Sequence, residues 1–89
     1  MVRLFARHPV TDYAAWRKAY DEFDAQRQTL GVTAQAVYQN AEDPNDITIT
    51  HDFADLASAQ AFANGATLKG VMEDAGVAGP PTIWFTNPA

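Results

Sequence analysis

Ile47, Ile49, His51 and Phe53 alternate with Thr48, Thr50 and Asp52, the period-two pattern of a strand with one face buried. Another strand runs from Val2 to His8 and closes at Pro9, which has no N–H to extend a ladder. Between them, Tyr13, Trp16, Tyr20, Phe23, Arg27 and Leu30 recur at spacings of three and four, with Arg17, Lys18, Asp21, Glu22 and Asp24 on the wet side. That spacing predicts one long helix, capped by Thr11 or Asp12 and stopped at Gly31, where a left-handed residue is wanted. Val32 to Asn40 reads as a strand with small residues on one side, and Asp43-Pro44-Asn45-Asp46 as a type I turn. A second helical stretch starts at Asp55 with Leu56, Ala59, Phe62 and Ala63. It is interrupted near Gly65 and resumes with Leu68, Val71, Met72 and Ala75. Gly76 to Pro81 reads as a loop and Thr82 to Thr86 as the last strand.

The order is β-α-β-β-α-β, the ferredoxin-like or split βαβ pattern of an α+β domain. It implies one domain over residues 1–89, a four-stranded antiparallel sheet with both helices on one face. A monomer of that kind should show polar residues on the uncovered face. Yet Leu4 and Phe5 are neighbours that point opposite ways, and Ile83, Trp84 and Phe85 stand in a row. Val37 likewise faces opposite to Tyr38. An open face carrying Phe5, Val37 and either Trp84 or Ile83 with Phe85 marks a contact surface. A second copy, sheet against sheet, is the simplest partner, which makes a homodimeric α/β barrel the expected assembly.

Composition narrows the chemistry. Hydrophobic residues make up 47% of the 89 and charged residues 19%, a globular balance. The net charge of -5 argues against nucleic acid and anionic membrane surfaces as partners, since both attract clustered positive charge. The absence of cysteine excludes disulfides, thiolate metal sites and a cysteine nucleophile. No run approaches the length of a leader or membrane-spanning segment, so a soluble, cytoplasmic protein is expected. There is no G-x-S-x-G elbow and no P-loop, and the Gly-Val-Ala-Gly around Val77 lacks the setting of a dinucleotide fingerprint.

Two histidines carry the titratable chemistry. If Asp43 and Asp46 end the hairpin turn, Tyr38 lies directly opposite His51, and both face the helices with Ala36, Asn40, Ile49 and Phe53. His51 then lies under Tyr13, Trp16 and Tyr20. It is either a structural histidine bonded to a tyrosine or a general base and hydrogen-bond donor in a pocket. Ala59, Ala63 and Ala66 leave room for a ligand there, or allow close helix packing. His8 falls near Ile47, more than about 10 Å from His51 at about 3.3 Å of rise per residue, so no shared metal site is expected. Trp16 and Trp84 are core residues, or partners for a ligand oxygen. Arg27, on the apolar side of its helix, either snorkels to solvent or anchors a carboxylate or phenolate.

The helix DYAAWRKAYDEFDAQRQTLGV, the hairpin YQNAEDPNDITITHDF and the ending AGVAGPPTIWF resemble small bacterial proteins of the dimeric α/β-barrel superfamily. Similar members are grouped with antibiotic-biosynthesis monooxygenases or labelled polyketide cyclases. The resemblance spans nearly the whole chain. It implies cofactor-independent oxygenase or cyclase chemistry on an aromatic or polyketide-like compound, with no cofactor and no metal. The substrate anion is stabilised in such enzymes by donors in an aromatic pocket, and Tyr13, Trp16, Tyr38, His51 and Trp84 suit one. The haem-degrading branch draws a histidine and a tryptophan from the second helical region; residues 55 to 75 contain neither. The asparagine that several family oxygenases carry on the first strand is absent here, leaving Asn40 to stand in for it. Besides an enzyme of this type, a non-catalytic homodimeric module binding a ligand or protein, and an isomerase or lactone-processing activity, stay open.

Overall fold

The computed structural model describes residues 1–65, 76 and 78–89. Its elements are β1 (Val2–Pro9), α1 (Tyr13–Glu22), α2 (Asp24–Thr29), β2 (Ala34–Gln39), β3 (Asp46–Phe53), α3 (Leu56–Ala63) and β4 (Thr82–Thr86). The helix expected to resume at Leu68, Val71, Met72 and Ala75 lies outside the described residues, as do Ala66 and Val77. The strands form one antiparallel sheet in the order β2-β3-β1-β4, the ferredoxin-like α+β arrangement. No helix among the described residues is long and apolar enough to cross a membrane.

Local chemistry sets the boundaries. Asp12 caps α1, its Oδ1 accepting from the Ala14 N–H, and Asp55 caps α3 through the Ser58 N–H. The long first helix of the sequence reading is broken at Phe23 (φ -87°, ψ 1°), whose N–H is shared between the Ala19 and Tyr20 carbonyls. The break redirects the chain into α2 and leaves Leu30 exposed instead of extending the apolar stripe. Gly31, at φ 103°, closes α2 with a Schellman pair: its N–H reaches the Gln28 carbonyl, and the Val32 N–H reaches that of Arg27.

The covered face of the sheet carries the core. Val2, Leu4, Ala6, Val32 and Phe53 pack with Ala59 and Phe62 of α3 at one end. Val10, Ile47 and Ile49 pack with Trp16 and Tyr20 of α1 at the other. Phe53 and Ile47 are fully buried, and each contributes about 1.5–3 kcal/mol relative to an exposed side chain.

The β2–β3 register differs from the expected one. The Asp43–Asp46 turn does form, with the Asp46 N–H on the Asp43 carbonyl and the Asn45 N–H on Asp43 Oδ1. It sits inside a longer loop, however, because the Asn40 N–H already bonds the Asp46 carbonyl. Tyr38 therefore pairs with Thr48, Val37 with Ile49 and Gln35 with His51. A slip by an odd number of residues reverses every side chain of the strand. Val37 joins the covered face, while Tyr38 stands 58% exposed on the open one. The same face holds Trp84, 40% exposed and stacked on Phe5 at 5.2 Å, so Trp84 rather than Ile83 and Phe85 is the open-face residue.

Candidate functional site

β3 presents His51 to the helices between Leu4 of β1 and Gln35 of β2. Its ring lies parallel to Tyr20 at 6.4 Å and takes the edge of Phe62 at 5.1 Å. The imidazole is 5% exposed, and neither Nδ1 nor Nε2 has a hydrogen-bond partner among the described residues. Burial, reinforced by the charge of Arg27, lowers its pKa to about 4, so the ring is neutral at physiological pH. It then offers one N–H donor and one acceptor nitrogen. The Tyr20 hydroxyl is equally buried and unpartnered, and burial raises its pKa.

Arg27, seven residues beyond Tyr20, falls on the same side of the helical segment and so sits beside them. Its guanidinium carbon lies 3.6 Å from the Tyr20 ring centroid, and the residue is 3% exposed. Nε donates to Gln35 Oε1 at 2.7 Å, and Nη2 reaches Asp24 Oδ1 at 3.4 Å. Trp16 stacks on Tyr20 at 4.9 Å, with Tyr13 6.0 Å beyond. Among the described residues, the result is an aromatic interior holding the Arg27 cation and three unsatisfied polar atoms.

Of the residues singled out from the sequence, His51, Tyr20, Arg27, Trp16 and Tyr13 converge here. Three do not. Tyr38 and Trp84 lie on the opposite side of the sheet, so neither completes an aromatic lining around His51. Asn40 is exposed at the hairpin, where its side chain donates to Asp46 Oδ2. The register error accounts for Tyr38 and Asn40. Gln35 and Phe62 were not expected at the site. Gln35 follows only from the true register, whereas Phe62 was already visible as an apolar position of α3 facing the third strand.

His8 is buried at the far end of the sheet, opposite Ile47 and edge-on to Trp16. Its Nδ1 lies 3.3 Å from the Pro9 carbonyl, and burial lowers its pKa. Four residues of strand, about 13 Å, separate its register position from that of His51.

No family model matches this chain, and no curated protein does. Solved structures do. A candidate antibiotic biosynthesis monooxygenase from Bordetella bronchiseptica superposes with a TM-score of 0.85 at 15% identity, covering 99% of this chain and 96% of that one. A protein of unknown function from Nitrosomonas europaea gives 0.75 at 24% identity, over 96% of this chain and 85% of its own. SnoaB, a cofactor-independent oxygenase from Streptomyces nogalater, gives 0.77 at 10% identity, over 98% and 91%. The chain shares their fold over essentially its whole length.

Proposed function

We propose that this chain, on the fold it shares with antibiotic biosynthesis monooxygenases, is a small-molecule enzyme of the cofactor-independent monooxygenase or cyclase type. Its substrate is an aromatic or polyketide-like compound bound between α1 and the sheet, and its working unit is a homodimer closed through the open sheet face. The supporting observation is the trio of unpartnered buried atoms, His51 Nδ1, His51 Nε2 and the Tyr20 hydroxyl. An orphaned buried polar group costs about 1–3 kcal/mol, so three in one interior are expensive unless a ligand completes them. A hydroxyl or enol oxygen of the substrate satisfies both residues at once. The acceptor nitrogen of His51 takes the substrate proton, and the Tyr20 O–H stabilises the oxygen on which charge develops. In the oxygenase case a substrate methylene and O2 give a carbonyl and water, with the substrate supplying the electrons.

A second reading, a binding module without catalysis, draws support from the same residue. A pKa of about 4 makes His51 a weak base at neutral pH. Oxygen uptake and thermal shift with a panel of hydroxylated aromatic compounds separate the two. The enzyme reading expects uptake that falls at least about 100-fold in His51→Ala, with binding weakened in Tyr20→Phe. Thermal shifts without oxygen uptake or product favour the module. Equal shifts in wild type and both variants remove His51 and Tyr20 from the site.

A further inference from the structure

The cation at this site is incompletely paired. Charge-assisted N–H···O bonds usually measure about 2.7–2.9 Å, whereas Arg27 Nη2 stands 3.4 Å from Asp24 Oδ1. Asp24 has donors besides Arg27: Oδ1 accepts from Gln35 Nε2 at 2.6 Å, the same amide whose Oε1 holds Arg27 Nε, and Oδ2 accepts from Gln28 Nε2 at 3.1 Å. Its side chain is 44% exposed, whereas that of Arg27 is 3% exposed. A buried guanidinium thus faces a half-solvated carboxylate that is better satisfied elsewhere, an arrangement that favours a closer anion. The planar fork of arginine matches a carboxylate in two-pronged geometry. Gln35, which fixes Nε, pairs in register with His51. Arg27 is therefore anchored one strand away from the unpartnered imidazole and lies directly on the ring whose hydroxyl is unpartnered.

We propose that the ligand of this site is a planar aromatic acid whose carboxylate is held by Arg27 in exchange for Asp24, an inference that rests on the site reading above. The carboxylate takes the place of the long Asp24 contact, and Asp24 keeps its two glutamine donors. The aromatic body of the acid reaches past the edge of Tyr20, whose face Arg27 already covers, toward His51 and the Tyr20 hydroxyl.

Calorimetric titration of the full chain with benzoate and with benzamide, its uncharged near-isostere, tests this. Benzoate is expected to bind at least about tenfold more tightly. Asp24→Asn, which removes the competing charge at a half-exposed position, tightens benzoate several-fold and leaves benzamide unchanged. Arg27→Met abolishes the preference; because it also removes the Gln35 bond and can unfold the chain, Asp24→Asn carries the decisive comparison. Equal affinities for the two probes, no benzoate binding at millimolar concentration, or weaker benzoate binding in Asp24→Asn overturns the proposal. A parallel titration with phenol separates the two levels of the argument. Phenol binding lost in His51→Ala, alongside equal affinities for benzoate and benzamide, rejects the carboxylate while the site survives.

Discussion

At the scale of single residues, the candidate site is marked by buried polar atoms that find no partner among the described residues. Removing the Tyr20 hydroxyl leaves the ring, its stack on Trp16 and its contact with Arg27 in place. It also deletes a buried group that nothing among the described residues satisfies. Tyr20→Phe is therefore expected to stabilise the fold by about 1 kcal/mol in urea denaturation while weakening ligand binding, the trade-off of a site kept for use. Unchanged or lower stability would mean that the hydroxyl has a partner. His51 gives a second expectation, in pH. The unfolded imidazole takes its proton near 6.5 and the folded one only near 4, so the unfolded state binds more protons between those values. Stability is then full above pH 6.5 and falls as the pH drops toward 4, by about 3 kcal/mol at about 1.4 kcal/mol per unit. His8, lowered in the same direction by burial, adds to that slope. Urea melts from pH 7 to 4 should show the fall, and His51→Leu should flatten it. A slope unaltered in that variant would count against the assignment. The sequence revealed much of this site. The period of the first helix placed Tyr13, Trp16, Tyr20 and Arg27 on one side, and the alternation of β3 placed His51 below them. Nothing in a sequence states that a ring nitrogen lacks a partner, and that property emerged only from the packing.

At the scale of elements, the hairpin register and the helix break depart from the sequence pattern for related physical reasons. Asp43-Pro44-Asn45-Asp46 has the composition of a hairpin-closing turn and does make the i to i+3 bond, but the strands start pairing at Asn40 and Asp46, three residues before Asp43 on the β2 side. Local turn chemistry fixes the shape of the loop without counting its residues, so register and facing were lost together. The observed register has opposite consequences for adjacent positions. Val37→Asp sets a carboxylate against Ile47, Ile49 and the α1 aromatics and should cost about 2 kcal/mol at any protein concentration. Tyr38→Ser, on the open face, should change the monomer by no more than about 0.5 kcal/mol. Denaturation of the two variants at low protein concentration decides the matter, since the register expected from the turn reverses the ranking. The break at Phe23 was illegible for a related reason: the three-four spacing continues through it, and only the shared hydrogen bond at Phe23 reveals that the helix is interrupted.

At the scale of the whole molecule, one layer of helices covers one side of the sheet, and the other side is the surface on which the proposed dimer rests. Phe5, Trp84 and Tyr38 form an apolar surface there, bordered by Arg3–Asp52 and Arg7–Asp46. Both ion pairs run across strands with two hydrogen bonds each, and the arginines hold Asp52 and Asp46 below the usual carboxylate range. Each border element carries both signs, so the face presents no net charge against its own copy despite the -5 of the chain. In the proposed dimer, a two-fold axis through the stack of Phe5 and Trp84 would bring the aromatic centre onto itself and leave the ion pairs at the rim, the layout of a self-complementary interface. A negative charge at the centre should be decisive where one at the rim is not. By size-exclusion chromatography with light scattering at micromolar concentration, the wild type is expected to be a dimer and Trp84→Asp a monomer. Arg7→Ala should weaken association by no more than about tenfold, since exposed ion pairs contribute about 1 kcal/mol or less. A wild type that remains monomeric at micromolar concentration would leave the exposed Trp84 without a partner of its own kind.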